Sequence, residues 1–148
     1  MSELRKLELK DIEKVKAFFT SVFTKEPWND DWSDATQLHE YMLDLMDNRN
    51  ALTLGFFEGD ELVGLAMGRI MHWYKATEYY IQELCIKTEV QGKGLGTAFL
   101  AEIEKYLVDN AIHAIFLQTE YDVPAYEFYK KNGFFELKGH VSFAKDLV

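Results

Sequence analysis

What this chain has little of narrows it first. It carries a single cysteine, Cys85, so neither an internal disulfide nor a cysteine-based metal cluster can form. Only two prolines, Pro27 and Pro124, occur, and no low-complexity linker or internal repeat breaks the sequence. No window approaches about eighteen uninterrupted apolar residues, which excludes a membrane-spanning helix. The charged opening MSELRKLELKDIEKVKAFF leads into no signal-sequence core either. Basic residues are outnumbered, 16 Lys and Arg against 25 Asp and Glu, for a net charge of −9. Phosphate backbones demand clustered Lys and Arg, so nucleic acid is disfavoured as a partner. An acidic surface aids solubility, and it also attracts cationic ligands such as amines. The expectation is a cytoplasmic protein that acts on neither nucleic acid nor membrane.

What is present suits a packed core. The 148 residues are 48% apolar and 15% aromatic, enough for one domain spanning 1–148. Residues 2–8 alternate weakly, as a first strand would. Asp11 is placed to cap a helix in which Ile12, Val15, Phe18, Phe19, Val22 and Phe23 recur at helical spacing. A turn-rich segment, KEPWNDDWSD, precedes a second helix near Ala35–Met46. Strands at 51–58 and 62–71 flank Gly59-Asp60-Glu61 as a hairpin, and 78–87 forms a further strand. Leu95, Phe99, Ile103, Tyr106 and Leu107 stripe a helix. A short strand at 113–119, a short helix at Pro124–Lys131 ended by Gly133, and two last strands at 134–138 and 141–146 complete the order β-α-α-β-β-β-α-β-α-β-β. The fold class is α/β in the mixed α+β sense. It is expected to hold a central, mostly antiparallel sheet of six to seven strands flanked by about four helices.

The most informative segment is EVQGKGLGT at 89–97, between a strand and an amphipathic helix. Its glycines permit a tight turn that presents bare amides. The helix behind it begins with unpaired N–H groups at the positive end of its dipole. Together they make an anion site of pyrophosphate size; a plain strand-to-helix turn is the alternative. A Walker-type loop is absent, and the dinucleotide fingerprint fails because its third glycine would fall on Thr97. The histidines His39, His72, His113 and His140 are scattered without metal-ligand spacing, so no metal is expected.

Gln91-Gly92-Lys93-Gly94-Leu95-Gly96 resembles the Gln/Arg-x-x-Gly-x-Gly/Ala signature of the GNAT superfamily of acetyl-CoA-dependent N-acetyltransferases. The segment 81–86 (IQELCI) resembles that family's central strand, and 124–134 (PAYEFYKKNGF) resembles its A-x-x-F-Y-x-x-x-G-F motif. The resemblance runs over essentially the whole chain. It implies a central strand splayed from its neighbour, with acetyl-CoA as co-substrate in the gap. The pantetheine arm would pair with backbone at Leu84, Cys85, Ile86 and Lys87. The pyrophosphate would rest on amides of Gln91, Gly92, Lys93, Gly94, Leu95, Gly96 and Thr97. The last motif would add Asp122, Ala125 and Tyr129. Many relatives carry Asn where this chain has Asp122, and a carboxylate cannot donate the amide's hydrogen bond. A homodimer is implied by the resemblance alone.

Acyl transfer to an amine needs a neutral nucleophile, a stabilised oxyanion and a protonated leaving thiolate. An alkyl ammonium has a solution pKa of about 10, so a base is useful near neutrality. Glu83 is expected mid-strand on one face with Ile81 and Cys85. A carboxylate in an apolar strand needs a partner or a task; the resemblance implies a base, and a structural hydrogen bond is the alternative. Tyr129 matches the tyrosine that in many relatives protonates the thiolate; core packing in an aromatic helix is the alternative. A backbone amide near Leu84 or Cys85 would stabilise the oxyanion. Cys85 itself has no neighbouring histidine in sequence and is expected to be a small buried hydrophobe. Trp28, Asp30, Asp31 and Trp32 form an aromatic–acidic patch suited to a cation, in the region that borders the acceptor cleft of this fold, and Glu120 is placed with them; an ordinary acidic surface loop with its tryptophans tucked into the core is the alternative. His72, Trp73, Tyr74 and Asp122 are expected on the same side. The whole looks most like the aminoglycoside and small-amine branch. The competing function is a catalytically idle acyl-CoA-binding sensor or interaction module.

Overall fold

The structure is a computed structural model that describes residues 1–148. The chain forms two compact units, Met1–Leu117 and Gln118–Val148. The first contains strands β1 (Ser2–Leu7), β2 (Ala51–Glu58), β3 (Glu61–His72), β4 (Thr77–Ile86) and β5 (Ala114–Phe116), with helices α1 (Ile12–Phe23), α2 (Ala35–Met46) and α3 (Leu95–Asp109). The strands lie in the order β1-β2-β3-β4-β5. All neighbours are antiparallel except β4 and β5, which are parallel.

Two cores sandwich this sheet. On one face Val15, Phe19 and Val22 of α1 and Leu38, Met42 and Leu45 of α2 pack on Phe57, Leu65, Met67 and Cys85. On the other, Phe99, Ile103 and Leu107 of α3 pack on Leu54, Phe56, Ala66, Tyr79 and Ile81. Phe99 stacks on Phe56 with ring centres 5.1 Å apart. That approach needs Gly64, where a Cβ would stand 2.8 Å from the Phe99 ring. The fully buried Tyr79 donates its hydroxyl to the Leu52 carbonyl at 2.8 Å, so it buries no unpaired polar group.

Capping differs from expectation at one helix. Asp11 precedes α1, yet its carboxylate accepts from the Glu8 N–H at 2.9 Å. A 3₁₀ turn at Leu9–Asp11 comes first and takes that side chain for itself. Asp34 caps α2 as such residues do, accepting from the N–H groups of Thr36 and Gln37 at 3.0 and 3.1 Å.

The second unit holds α4 (Pro124–Lys131). The strands expected at 134–138 and 141–146 are not formed, so the sheet has five strands rather than six or seven. Alternation is present there, but a strand needs a hydrogen-bonded ladder and a face to bury, and a lone hairpin is marginal. Instead Phe135, Val141 and Phe143 are exposed, and the segment makes local bonds: Phe134 N–H to the Tyr129 carbonyl and His140 N–H to the Leu137 carbonyl.

Candidate active site

The site is built along β4, and a register fault sets its geometry. Met67 of β3 pairs with Glu83, but the next residue, Gly68, pairs with Ile81. Gln82 is therefore an extra residue, a β-bulge. Because side chains alternate, one extra residue moves everything after it to the opposite face. Ile81 belongs to the α3-side core while Cys85 belongs to the core under α1 and α2. This corrects the expectation that Ile81, Glu83 and Cys85 share a face. Glu83 goes with Cys85 and points at α2, where Tyr41 donates to its Oε2 at 2.5 Å. Gly68 permits the fault: a Cβ there would stand 2.1 Å from the Tyr80 carbonyl oxygen.

Burial pushes the Glu83 carboxyl up from the ordinary carboxylate range; the Tyr41 hydrogen bond pulls it down and the nearby Asp30 charge pushes it up again. The thiol of Cys85 is held far above the usual range, by burial first and by Glu83 second. It is a buried apolar residue in practice, since the thiolate is the reactive form.

The loop between α1 and α2 leans on this carboxylate through aromatic contacts. Trp32 stacks on Tyr41 at 5.3 Å with the planes 13° apart, and meets Phe19 edge-on at 5.4 Å. Trp28 packs on Phe23 at 5.6 Å. Both tryptophans are half-buried and Asp30 is exposed. Asp31 is turned inward on its own loop, accepting from the Ser33 N–H at 3.0 Å; hydrogen bonds from Ser33 hold its carboxyl below the ordinary range. The structure thus gathers Trp32, Asp30 and Glu83, while Asp31 serves a local turn. His72, Trp73 and Tyr74 are exposed around the β3–β4 connection.

β4 also carries a gap. Its parallel ladder with β5 covers Glu78, Tyr79 and Tyr80 against Ala114, Ile115 and Phe116, and β4 then runs on to Ile86 beyond that ladder. Past its end, a 3₁₀ turn at Thr88–Val90 leads into the glycine loop. Gln91 anchors the loop by donating its Nε2 to the Ile86 carbonyl at 3.0 Å. Gly92 and Gly94 have φ of +81° and +77°, with nothing within 4 Å of a Cβ at either. They are required by conformation, not by crowding. α3 starts at Leu95 with no side-chain cap from Gly94. Lys25 of the α1–α2 loop reaches Glu89 at 3.7 Å, so that loop borders both Glu83 and the glycine turn.

The family model described as the acetyltransferase (GNAT) family matches residues 11–134. This chain belongs to the acetyltransferase (GNAT) family. As a GNAT member it is an acetyl-CoA-dependent N-acetyltransferase. No curated protein matches the sequence. Among solved structures, a possible acetyltransferase from Clostridium difficile shares the fold at TM-score 0.80 and 18% identity, covering 100% of this chain and 99% of that one. An aminoglycoside acetyltransferase from an uncultured soil metagenomic sample, in complex with sisomicin, aligns at TM-score 0.74 and 18% identity over 99% and 97%. AAC(6')-Iy in complex with a CoA-linked bisubstrate analogue aligns at TM-score 0.74 and 11% identity over 99% of each chain.

The residues of this GNAT chain fit a CoA thioester. The uncapped N-terminus of α3 and open left-handed glycines suit an anion, and the β4 edge beyond the β5 ladder suits an extended amide arm. Thr88 Oγ1, just after β4, is buried with no hydrogen-bond partner. Gly94→Ala is expected to cost about 1–2 kcal/mol of stability, the penalty of a side chain at left-handed φ, and to weaken acetyl-CoA binding about tenfold as the loop relaxes. Gly59→Ala, at φ +63° in the β2–β3 turn, should lose stability alone. Calorimetric titration beside thermal melts separates the two.

The remaining motif residues lie in the second unit. Glu120 and Asp122 are exposed, and Ala125 and Tyr129 are half-buried. Tyr129 packs on Phe128 and Phe134, with ring centres 5.4 and 5.2 Å away. Sequence reasoning missed Tyr41 and the bulge. The signal for the bulge was Gly68 itself, an isolated glycine inside an apolar strand. Tyr41 lies on the Leu38–Met42–Leu45 stripe itself, three residues after Leu38 and four before Leu45, and reads there as ordinary core.

Proposed function

We propose that this enzyme transfers the acetyl group of acetyl-CoA to a primary amine of a small cationic or peptide acceptor, by direct attack in a ternary complex. The observation that carries this is Glu83, a half-buried carboxylate on a bulge of β4, hydrogen-bonded to Tyr41 and bordered by an aromatic–acidic loop. When bound, acetyl-CoA supplies the acyl group as a thioester. The chain's own residues do the rest. Glu83 takes the proton from the amine, directly or through water. A backbone N–H near Leu84 or Cys85 meets the developing oxyanion. Tyr129, by its place in the last motif, returns a proton to the departing sulfur. The glycine loop and Leu84 to Lys87 hold the cofactor; their places in the last motif assign Asp122, Ala125 and Tyr129 to the same task.

The acceptor is drawn by charge. Asp30 beside Glu83, on a loop with Trp28, Asp31 and Trp32, favours a cation over an anion; Glu120 is assigned to the acceptor by its place in the sequence just before the last motif. Sisomicin in the metagenomic relative supports a polyamine-like or aminoglycoside acceptor. The family match spans both compact units, which supports one domain over 1–148. No helix is long and apolar enough to cross a membrane, and cytoplasmic location and a homodimer belong to the same proposal.

Acceptor choice is tested by rate against charge. Multiply cationic amines should outrun neutral amino acids at low ionic strength, and added salt should narrow the gap. Equal kcat/KM for cationic and neutral amines would count against the acidic loop. For Tyr129→Phe, kcat is expected to fall about a hundredfold with acetyl-CoA affinity nearly kept; unchanged turnover would remove Tyr129 from the mechanism.

A further inference from the structure

Tyr41 lies on α2, 42 residues before the strand carboxylate it touches, and its geometry is not that of a casual contact. Its ring is fixed on two sides, stacked on Trp32 at 5.3 Å and set against Phe19 at 6.0 Å. Phe19 is fully buried in the core shared by α1 and α2. A hydroxyl carried on a ring so held selects one orientation of the Glu83 carboxylate. It occupies Oε2 and leaves Oε1 as the oxygen free to receive a proton.

We propose that Tyr41 is a positioning residue for Glu83: its hydroxyl donates to Oε2, holds the carboxylate ionised in an apolar setting, and presents Oε1 as the proton-accepting oxygen. The proposal rests on the reading of Glu83 as the base. Within Met1–Leu117, the titratable groups around the pair are few. Asp30 comes from the α1–α2 loop, Asp44 sits on α2 near Tyr41, and Cys85 follows on β4. Met67, opposite Glu83 on β3, and Phe19 from α1 are apolar. None of these is a cation. Burial and Asp30 both favour the protonated acid, and the Tyr41 hydrogen bond opposes them. Tyr41 keeps its own proton throughout, because burial first and Glu83 second hold its hydroxyl far above the usual tyrosine range. It therefore acts as a fixed donor and not as an acid in the reaction.

The test removes the hydroxyl and keeps the ring. In Tyr41→Phe the carboxyl carbon of Glu83, followed by NMR in ¹³C-glutamate-labelled full-length protein, should titrate at higher pH than in wild type. The acid limb of kcat/KM should move the same way, with a rate about tenfold lower on that limb and near wild type once Glu83 is ionised. KM for the amine should change little, and the unfolding midpoint should fall modestly above the Glu83 titration, where the ionised carboxylate has lost its donor, and less below it. Placed on Glu83→Gln, Tyr41→Phe should leave the pH profile where it was. An unmoved carboxyl titration, or a loss of rate equal at every pH, would overturn the proposal and leave Tyr41 as packing. If wild type acetylates no amine, the proposed function fails, yet the carboxyl titration still decides the Tyr41–Glu83 coupling. Should Tyr41→Phe fold poorly, the ring carbon of Tyr41 in wild type serves instead: it should shift in step with Glu83, and the absence of such a step would overturn the pairing.

Discussion

Replacing Glu83 with Gln is expected to lower kcat about a thousandfold at pH 7, within the range that positioned general bases contribute. The substitution keeps the size of the side chain and an oxygen that can accept from Tyr41, so folding and acetyl-CoA binding should be nearly unchanged. The sign of the pH effect follows from the site. Wild-type rate should fall as pH drops through the Glu83 titration, because the protonated acid cannot accept a proton. That limb should lie above the range of a solvated carboxylate, since burial raises it more than the Tyr41 bond lowers it. In Glu83→Gln this limb should vanish. What remains is a rate that rises with pH as the amine deprotonates by itself, so the two enzymes converge towards about pH 10. A pH–rate series with one amine checks this. A wild-type rate independent of pH, or a variant that keeps the acid limb, would contradict the base assignment.

Gly68→Ala is expected to do the most damage to the fold for the smallest change in mass. The added methyl would stand 2.1 Å from the Tyr80 carbonyl oxygen and 2.9 Å from Ile81 Cα. Both obstacles are backbone, so no side chain can swing aside. β3 and β4 must separate, or the bulge must be lost. Overpacking of this kind costs about 3 kcal/mol or more, or a fall in Tm of roughly 6–12 °C at this size. Losing the bulge would have a second consequence: one side of it must flip, turning either Glu83 towards α3 or Tyr79 and Ile81 towards α1, and both disturb the site. Folded Gly68→Ala protein should therefore lose activity far beyond its loss of stability, while still binding CoA through the glycine loop. Calorimetry with melts and kinetics measures all three. Full activity with an unchanged Tm would show that the bulge does not need this glycine.

The residues that spoke clearly in sequence were those whose local chemistry has few alternatives. Helical spacing in Ile12 to Phe23 and Leu95 to Leu107 marks α1 and α3, and Gly92 and Gly94 do take the left-handed conformations a tight anion loop needs. A carboxylate in the apolar run of β4 marked Glu83 for attention. What stayed hidden was long-range. Alternation placed Ile81 with Glu83 and Cys85, because a bulge is a property of two strands and its cause, Gly68, lies on the other one. Tyr41 is unremarkable on its own helix, and only the register of β4 brings a carboxylate to it. The last two strands failed for a related reason. Residues 134–146 have the alternation, but no ladder forms for it to join, and a pattern of side chains does not create hydrogen-bond partners.

The central claim, acyl transfer from a CoA thioester to an amine, is met most directly by thiol release. The protein is mixed with acetyl-CoA and a panel of aminoglycosides, polyamines, amino acids and short peptides, and free thiol is followed against an amine-free control. The account predicts release that depends on the amine, strongest with the cationic acceptors and lost in Glu83→Gln at pH 7. Release no faster with any amine than without, from protein that calorimetry shows to bind CoA, would contradict it and leave an acyl-CoA-binding module in its place.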